Sequence, residues 1–104
     1  MELFSFASNG VSLPEITHAD YSLVGPGSAG LIPAQPGEEV IAWGTGDCSS
    51  PAITLNGNVA AVLSSARVGP GLCQLNFLVP IGASGESQLK ISTSPNVYTL
   101  SVAP

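Results

Sequence analysis

Twelve glycines and nine prolines are scattered along the 104 residues, and few windows of 12 residues escape both. In a helix interior glycine costs about 1 kcal/mol and proline about 3 kcal/mol relative to alanine. A helix of ordinary length therefore finds little room. The apolar residues fall instead in short runs bounded by turn formers, which is the pattern of an all-β sandwich or barrel.

The runs can be read in order. Leu3–Ala7 ends at Ser8-Asn9-Gly10, and a less regular run extends from about Ile16 to Val24. Gly25–Gly30 reads as plain linker, and Pro36-Gly37 is a turn leading into Glu39–Gly44. That strand is almost continuously apolar, so it is expected to be central and covered on both sides, with Trp43 as the largest core candidate. After a loop from Gly44 to Pro51, Ala52–Leu55 meets Asn56-Gly57, the strongest short hairpin signal, with Val59–Leu63 as the return arm. Gly69-Pro70-Gly71 turns into Leu72–Val79, the clearest strand. Period two puts Cys73, Leu75, Phe77 and Val79 on an inward face. Gln74 and Asn76 then face outward or bond to an adjacent loop. Pro80 ends the strand by removing a ladder donor. Gln88–Ser92 and Val97–Val102 flank a turn at Thr93–Asn96; Leu89 and Ile91 share one face, as do Tyr98, Leu100 and Val102. Seven or eight strands in one chain predict a single domain over residues 1–104, an immunoglobulin-like sandwich of two antiparallel sheets.

Charge narrows the partners. Seven acidic residues face two basic ones, Arg67 and Lys90, for a net charge of −5. Two cations make no basic stripe, so nucleic acid and anionic membranes are poor partners. An apolar fraction of 44% with 9% charged residues excludes a disordered tail. No run of 18 apolar residues offers a membrane-spanning helix.

Cys48 and Cys73 allow one bridge, worth about 3.5 kcal/mol by loop entropy. The alternative is two buried free thiols. The bridge is the preferred reading. One histidine, His18, is too few for a structural zinc site. No basic start followed by an apolar stretch marks a signal peptide. Either the chain stays inside the cell or it is a piece of a longer exported chain, with Met1 an artificial start before Glu2. The second reading is preferred.

Four groups could carry chemistry. His18 and Asp20 would share a face on a strand, as a general base or half a metal site, but no nucleophile motif accompanies them. A surface or capped histidine is the expectation. Glu38-Glu39 with Asp47 could hold Ca²⁺, but no Asp-x-Asp-x-Asp loop is present, and Glu38 is expected to solvate the turn after Pro36-Gly37. Gly25–Gly30 lacks the Lys-Ser/Thr ending of a phosphate loop. Trp43, Tyr21 and Tyr98 could stack a ligand such as a sugar, although a core role for Trp43 is favoured. No cofactor, metal or catalytic residue is assigned.

Several of these residues resemble a bacterial family. Pro36-Gly37-Glu38, Trp43-Gly44-Thr45-Gly46, Ile53-Thr54-Leu55-Asn56-Gly57 and Gly71 to Pro80 are similar to the C-terminal immunoglobulin-like module of large exported proteins of soil Acidobacteria, of the Solibacter type. Leu3-Phe4-Ser5 resembles the start of that module. Gln74-Leu75-Asn76-Phe77-Leu78-Val79-Pro80 is the most specific element. The chain departs from the pattern at Cys73, where an aromatic residue is usual, at Asn58, where glycine is common, and at Cys48. A Cys48–Cys73 bridge would replace the lost aromatic packing. The family has no defined molecular role, so the resemblance implies fold and export but no catalytic residue.

The resulting expectation is a non-catalytic extracellular module of a larger secreted or surface protein, used for spacing, adhesion or protein contact. Its partners would be other domains of the parent chain or another protein. A carbohydrate-binding module is the alternative and needs two exposed aromatics on one face. A hydrolase fragment would need a cleft gathering His18, Asp20 and a further acid. A strand-exchanging fibre subunit would pair Leu3–Ala7 with a neighbouring chain.

Overall fold

Three glycine turns organise the chain. The computed structural model describes residues Met1–Pro104. In it, φ is 50° and 80° at Asn9-Gly10, and 50° and 81° at Asn56-Gly57. Positive φ at both central residues is what a type I′ turn requires. These turns close hairpins at the pairs Ser8↔Val11 and Leu55↔Asn58. Pro70-Gly71 closes a third between Gly69 and Leu72.

Eleven short strands result: β1 (Glu2–Leu3), β2 (Ser5–Ser8), β3 (Val11–Pro14), β4 (Ile16–His18), β5 (Glu39–Thr45), β6 (Ile53–Leu55), β7 (Asn58–Ala60), β8 (Val62–Gly69), β9 (Leu72–Leu78), β10 (Gly85–Ile91) and β11 (Val97–Val102). There is no α-helix, only a 3-10 turn at Gly27–Ala29. The first sheet runs β1-β5-β9-β8, with β4 also paired to β5. The second runs β11-β10-β6-β7, and β2-β3 forms a separate hairpin. Every pairing between these strands is antiparallel.

The two larger sheets share one core of 19 buried residues. Val40, Ala42, Leu75 and Phe77 enter it from the first sheet, and Ile53, Leu55, Leu89, Ile91 and Leu100 from the second. β9 alternates as expected. Cys73, Leu75 and Phe77 are fully buried, while Gln74 and Asn76 are partly exposed. Cys48 and Cys73 form the disulfide, with Cα atoms 5.3 Å apart, tying the loop after β5 to β9.

The strand count exceeds the seven or eight expected, and the reasons are local. The run Leu3–Ala7 splits at Phe4 into β1, which joins the first sheet, and β2, which joins the hairpin. Asn9-Gly10 does not merely end that run but turns it back into β3. The arm Val59–Leu63 is divided at Ala61, where the chain leaves the second sheet and enters the first. Gly25–Gly30 is more than a linker. Gly30, at φ 78°, caps the 3-10 turn, and the carbonyl of the buried Ala29 accepts from the Ser8 hydroxyl at 2.9 Å.

Trp43 is the main correction. It does not lie in the core but is partly exposed on the outer side of the first sheet. Its register partner is Gln74, whereas the neighbouring pairs Ala42↔Leu75 and Gly44↔Cys73 point inward. Strand alternation therefore turns the indole outward. Val40, Ile41 and Ala42 are buried on both faces, which hides that alternation in the sequence.

Candidate binding face

The outer side of the first sheet brings Trp43 and Tyr21 together, with Phe4 lining the same hollow. β5 contributes Trp43, whose indole N–H donates to the Thr17 hydroxyl at 3.0 Å. That bond fixes the ring and satisfies its polar atom within the protein. Phe4 follows β1, and its amide donates to the Trp43 carbonyl at 3.0 Å, bringing it alongside. Phe4 is 36% exposed.

Tyr21 reaches the same place from a tight turn after β4. The Tyr21 amide donates to the His18 carbonyl at 2.9 Å, and the His18 amide to the Ser22 carbonyl at 2.8 Å. In this kind of hairpin the last loop residue adopts the left-handed conformation, where glycine is usual. Tyr21 holds it at φ 69°. For a bulky side chain that conformation costs roughly 1–2 kcal/mol. The Asp20 carboxylate supports it by accepting from the Ser22 amide at 3.0 Å and the Ser22 hydroxyl at 2.6 Å. These hydrogen bonds also hold the Asp20 carboxyl below its usual range. The turn leaves the phenol 66% exposed, with its ring centroid 6.1 Å from that of Trp43 and the planes inclined at 54°.

Phe4, Glu15, Thr17, Tyr21, Trp43 and Leu72 line a shallow hollow of about 400 Å³. A second hollow of about 240 Å³ adjoins it at Phe4 and includes Ser5, Tyr98 and Thr99. Beside Trp43, the Gln74 amide donates to Asn76 at 3.0 Å and the Asn76 amide to the Glu39 carboxylate at 2.9 Å. Gln74 and Asn76 thus bond along their own face, not to a loop.

The three aromatics singled out from sequence are therefore not one cluster. Trp43 and Tyr21 meet, while Tyr98 stands across Phe4 in the second hollow. The Tyr98 hydroxyl accepts from the Leu3 amide at 3.0 Å and donates to Glu2 at 3.2 Å. Sequence reasoning missed Phe4 and Leu72. Their signal was the β5 register, which cannot be read from a strand buried on both sides.

The other candidates are dispersed. His18 pairs with Glu38, and Glu38 also accepts from the Gln35 amide at 2.8 Å, closing the turn before β5. Glu39 bonds Asn76, and Asp47 accepts from the Ser49 amide at 2.9 Å. The Asp47 carboxyl is held below its usual range by that bond. No three His, Cys, Asp or Glu side chains come together as a metal-holding group. Leu3–Ala7 pairs within its own chain, with β5 and β3.

No family model, curated protein or solved structure matches this chain. The face is therefore interpreted on its own chemistry. It carries apolar rings at fixed angles, with the Gln74 and Asn76 amides and the Glu15 and Glu39 carboxylates beside them. Neither Lys90 nor Arg67 is among them: Lys90 lines a separate hollow with residues of the second sheet, and the Arg67 guanidinium donates to the Gly46 carbonyl at 2.9 Å.

Proposed function

We propose that this chain is a non-catalytic interaction module, an immunoglobulin-like sandwich belonging to a longer exported protein. Its contact surface is the outer face of the first sheet around Trp43 and Tyr21. One observation carries this reading: a tyrosine held in a glycine conformation is 66% exposed beside a part-exposed, hydrogen-bonded tryptophan. Strain at a non-glycine residue persists where the surroundings over-determine it, and such residues concentrate at ligand-contacting sites.

Two sheets closing on one core support the sandwich. The disulfide fits an oxidising compartment, and no helix is long and apolar enough to cross a membrane. The resemblance to the exported modules of soil Acidobacteria agrees with both. A carbohydrate-binding role is the second reading, and the paired Trp43 and Tyr21 favour it.

Two measurements test the proposal. Thiol trapping of the protein from its source cells should leave Cys48 and Cys73 unlabelled before reduction. Oxidative footprinting with an extract of the cell-surface material should protect Tyr21 and Trp43 but not Val59, which is 81% exposed on the second sheet. Labelled cysteines would overturn export, and unchanged reactivity at Tyr21 would overturn the contact surface.

A further inference from the structure

Resting on that contact surface, we infer that its ligand is a single, uncharged oligosaccharide chain lying across Phe4. Its sugar rings stack on Trp43, Tyr21 and Phe4.

The shape comes first. Phe4 lines both hollows, beside Trp43 and Tyr21 in the first. A pyranose presents an apolar C–H face and a rim of hydroxyls. The face offers matching groups, aromatic rings for the first and polar side chains for the second. Glu15 lines the first hollow, and Ser5 and Thr99 the second. Gln74 stands beside Trp43, with one amide N–H bonded to Asn76 and the rest of its amide available. Asn76 is in turn oriented by Glu39. A hydrogen-bonded row of amides and a carboxylate is suited to paired hydroxyls, because it presents donors and acceptors at fixed positions.

Charge selects among glycans. Glu15 is the single ionisable carboxylate lining the first hollow, and neither of the chain's two cations lines either hollow. A uronate or sulfate would meet that negative charge with no cation to pair it, and burying an unpaired charge is unfavourable. The angle selects further. Rings inclined at 54° cannot lie together on a flat crystalline surface. They can follow successive residues of one twisted, soluble chain.

The test is affinity electrophoresis of the intact protein in gels containing mixed-linkage β-glucan, xylan or galactomannan. Polygalacturonate and heparin supply the anionic arm, and crystalline cellulose and chitin are tested by sedimentation. Retardation is expected with at least one neutral soluble chain and with neither anionic polymer, with no co-sedimentation on the crystals. Tyr21→Asn, which suits the backbone conformation at that position, and Gln74→Ala should each weaken binding roughly tenfold, the equivalent of one well-made contact. Thermal melting checks that both variants fold.

Failure on every neutral chain overturns the inference, as does preference for an anionic polymer, binding to crystals alone, or unchanged binding by Tyr21→Asn. The footprint separates this failure from failure of the contact surface. If the surface extract still protects Tyr21 and loses that ability to protease but not to periodate, the face stands and its partner is a protein. If Tyr21 is never protected, both readings fall.

Discussion

The imidazole of His18 donates from Nδ1 to the Glu38 carboxylate and from Nε2 to the Ile32 carbonyl, the latter at 3.0 Å. With a carboxylate on one ring nitrogen and a carbonyl on the other, the arrangement favours the imidazolium. Burial opposes the charge, but the hydrogen bonds to Glu38 and Ile32 and the charges of Glu38 and Asp20 outweigh it, raising the pKa. The raised value lies in the folded state. The stabilisation is therefore complete below the unfolded value of about 6.5 and is lost as pH rises through the folded one. Solvent screening holds it below about 1 kcal/mol. Melting of the wild type should fall by no more than roughly 8 °C from pH 6 upward, while His18→Gln melts without that step. A wild-type profile flat across this range would contradict the pairing.

Tyr21→Asn is expected to be nearly neutral for stability. Asparagine tolerates the left-handed backbone and relieves roughly 1 kcal/mol. Loss of the ring contact with Trp43 removes about 0.5–1.5 kcal/mol. Urea unfolding should give an extrapolated stability within about 1 kcal/mol of the wild type. A much larger loss would mean that the phenol supports the fold itself.

Reduction of the Cys48–Cys73 bridge should cost about 3.5 kcal/mol, since it constrains a sequence separation of 25. For a domain of this size that lowers the melting temperature by roughly 15–25 °C. Calorimetry with and without a phosphine reductant measures it, and the double substitution Cys48→Ala/Cys73→Ala should match the reduced protein. An unchanged melting temperature would show that the core alone restrains this loop.

Gly44→Ala should dislodge β1. A Cβ at Gly44 would run into the Glu2 carbonyl and sit 3.1 Å from the Leu3 Cα. Backbone cannot yield as a flexible side chain does, so a loss of about 1–3 kcal/mol is expected. Hydrogen exchange at the Phe4 amide, bonded to the Trp43 carbonyl, should accelerate more than exchange in β10. Equal acceleration in both would indicate global destabilisation instead.

Much of the fold is legible because some residues constrain the chain locally. Asn56-Gly57 specifies its turn, Leu72–Val79 alternates cleanly, and the cysteine pair meets as expected. The outer aromatic face is harder to read. Trp43 lies in a strand where Val40, Ile41 and Ala42 are buried whichever way they point, so hydrophobicity carries no period there. Only the pairing with Gln74 reveals the indole's direction. β8 carries little sequence signal because it lies at a sheet edge, and Ser64 to Arg67 look like loop residues when water replaces a strand partner. Nothing in His18-Ala19-Asp20-Tyr21-Ser22 announces that the tyrosine stands in a glycine's conformation.

The register of β8 against β9 shifts twice, between Val62 and Ser64 and between Arg67 and Gly69. β8 ends the first sheet, and its outer row of amides and carbonyls is therefore interrupted at two points. A foreign strand needs a regular ladder to zip onto, and these interruptions break it. Copies at high local concentration can then stand side by side without their sheets fusing.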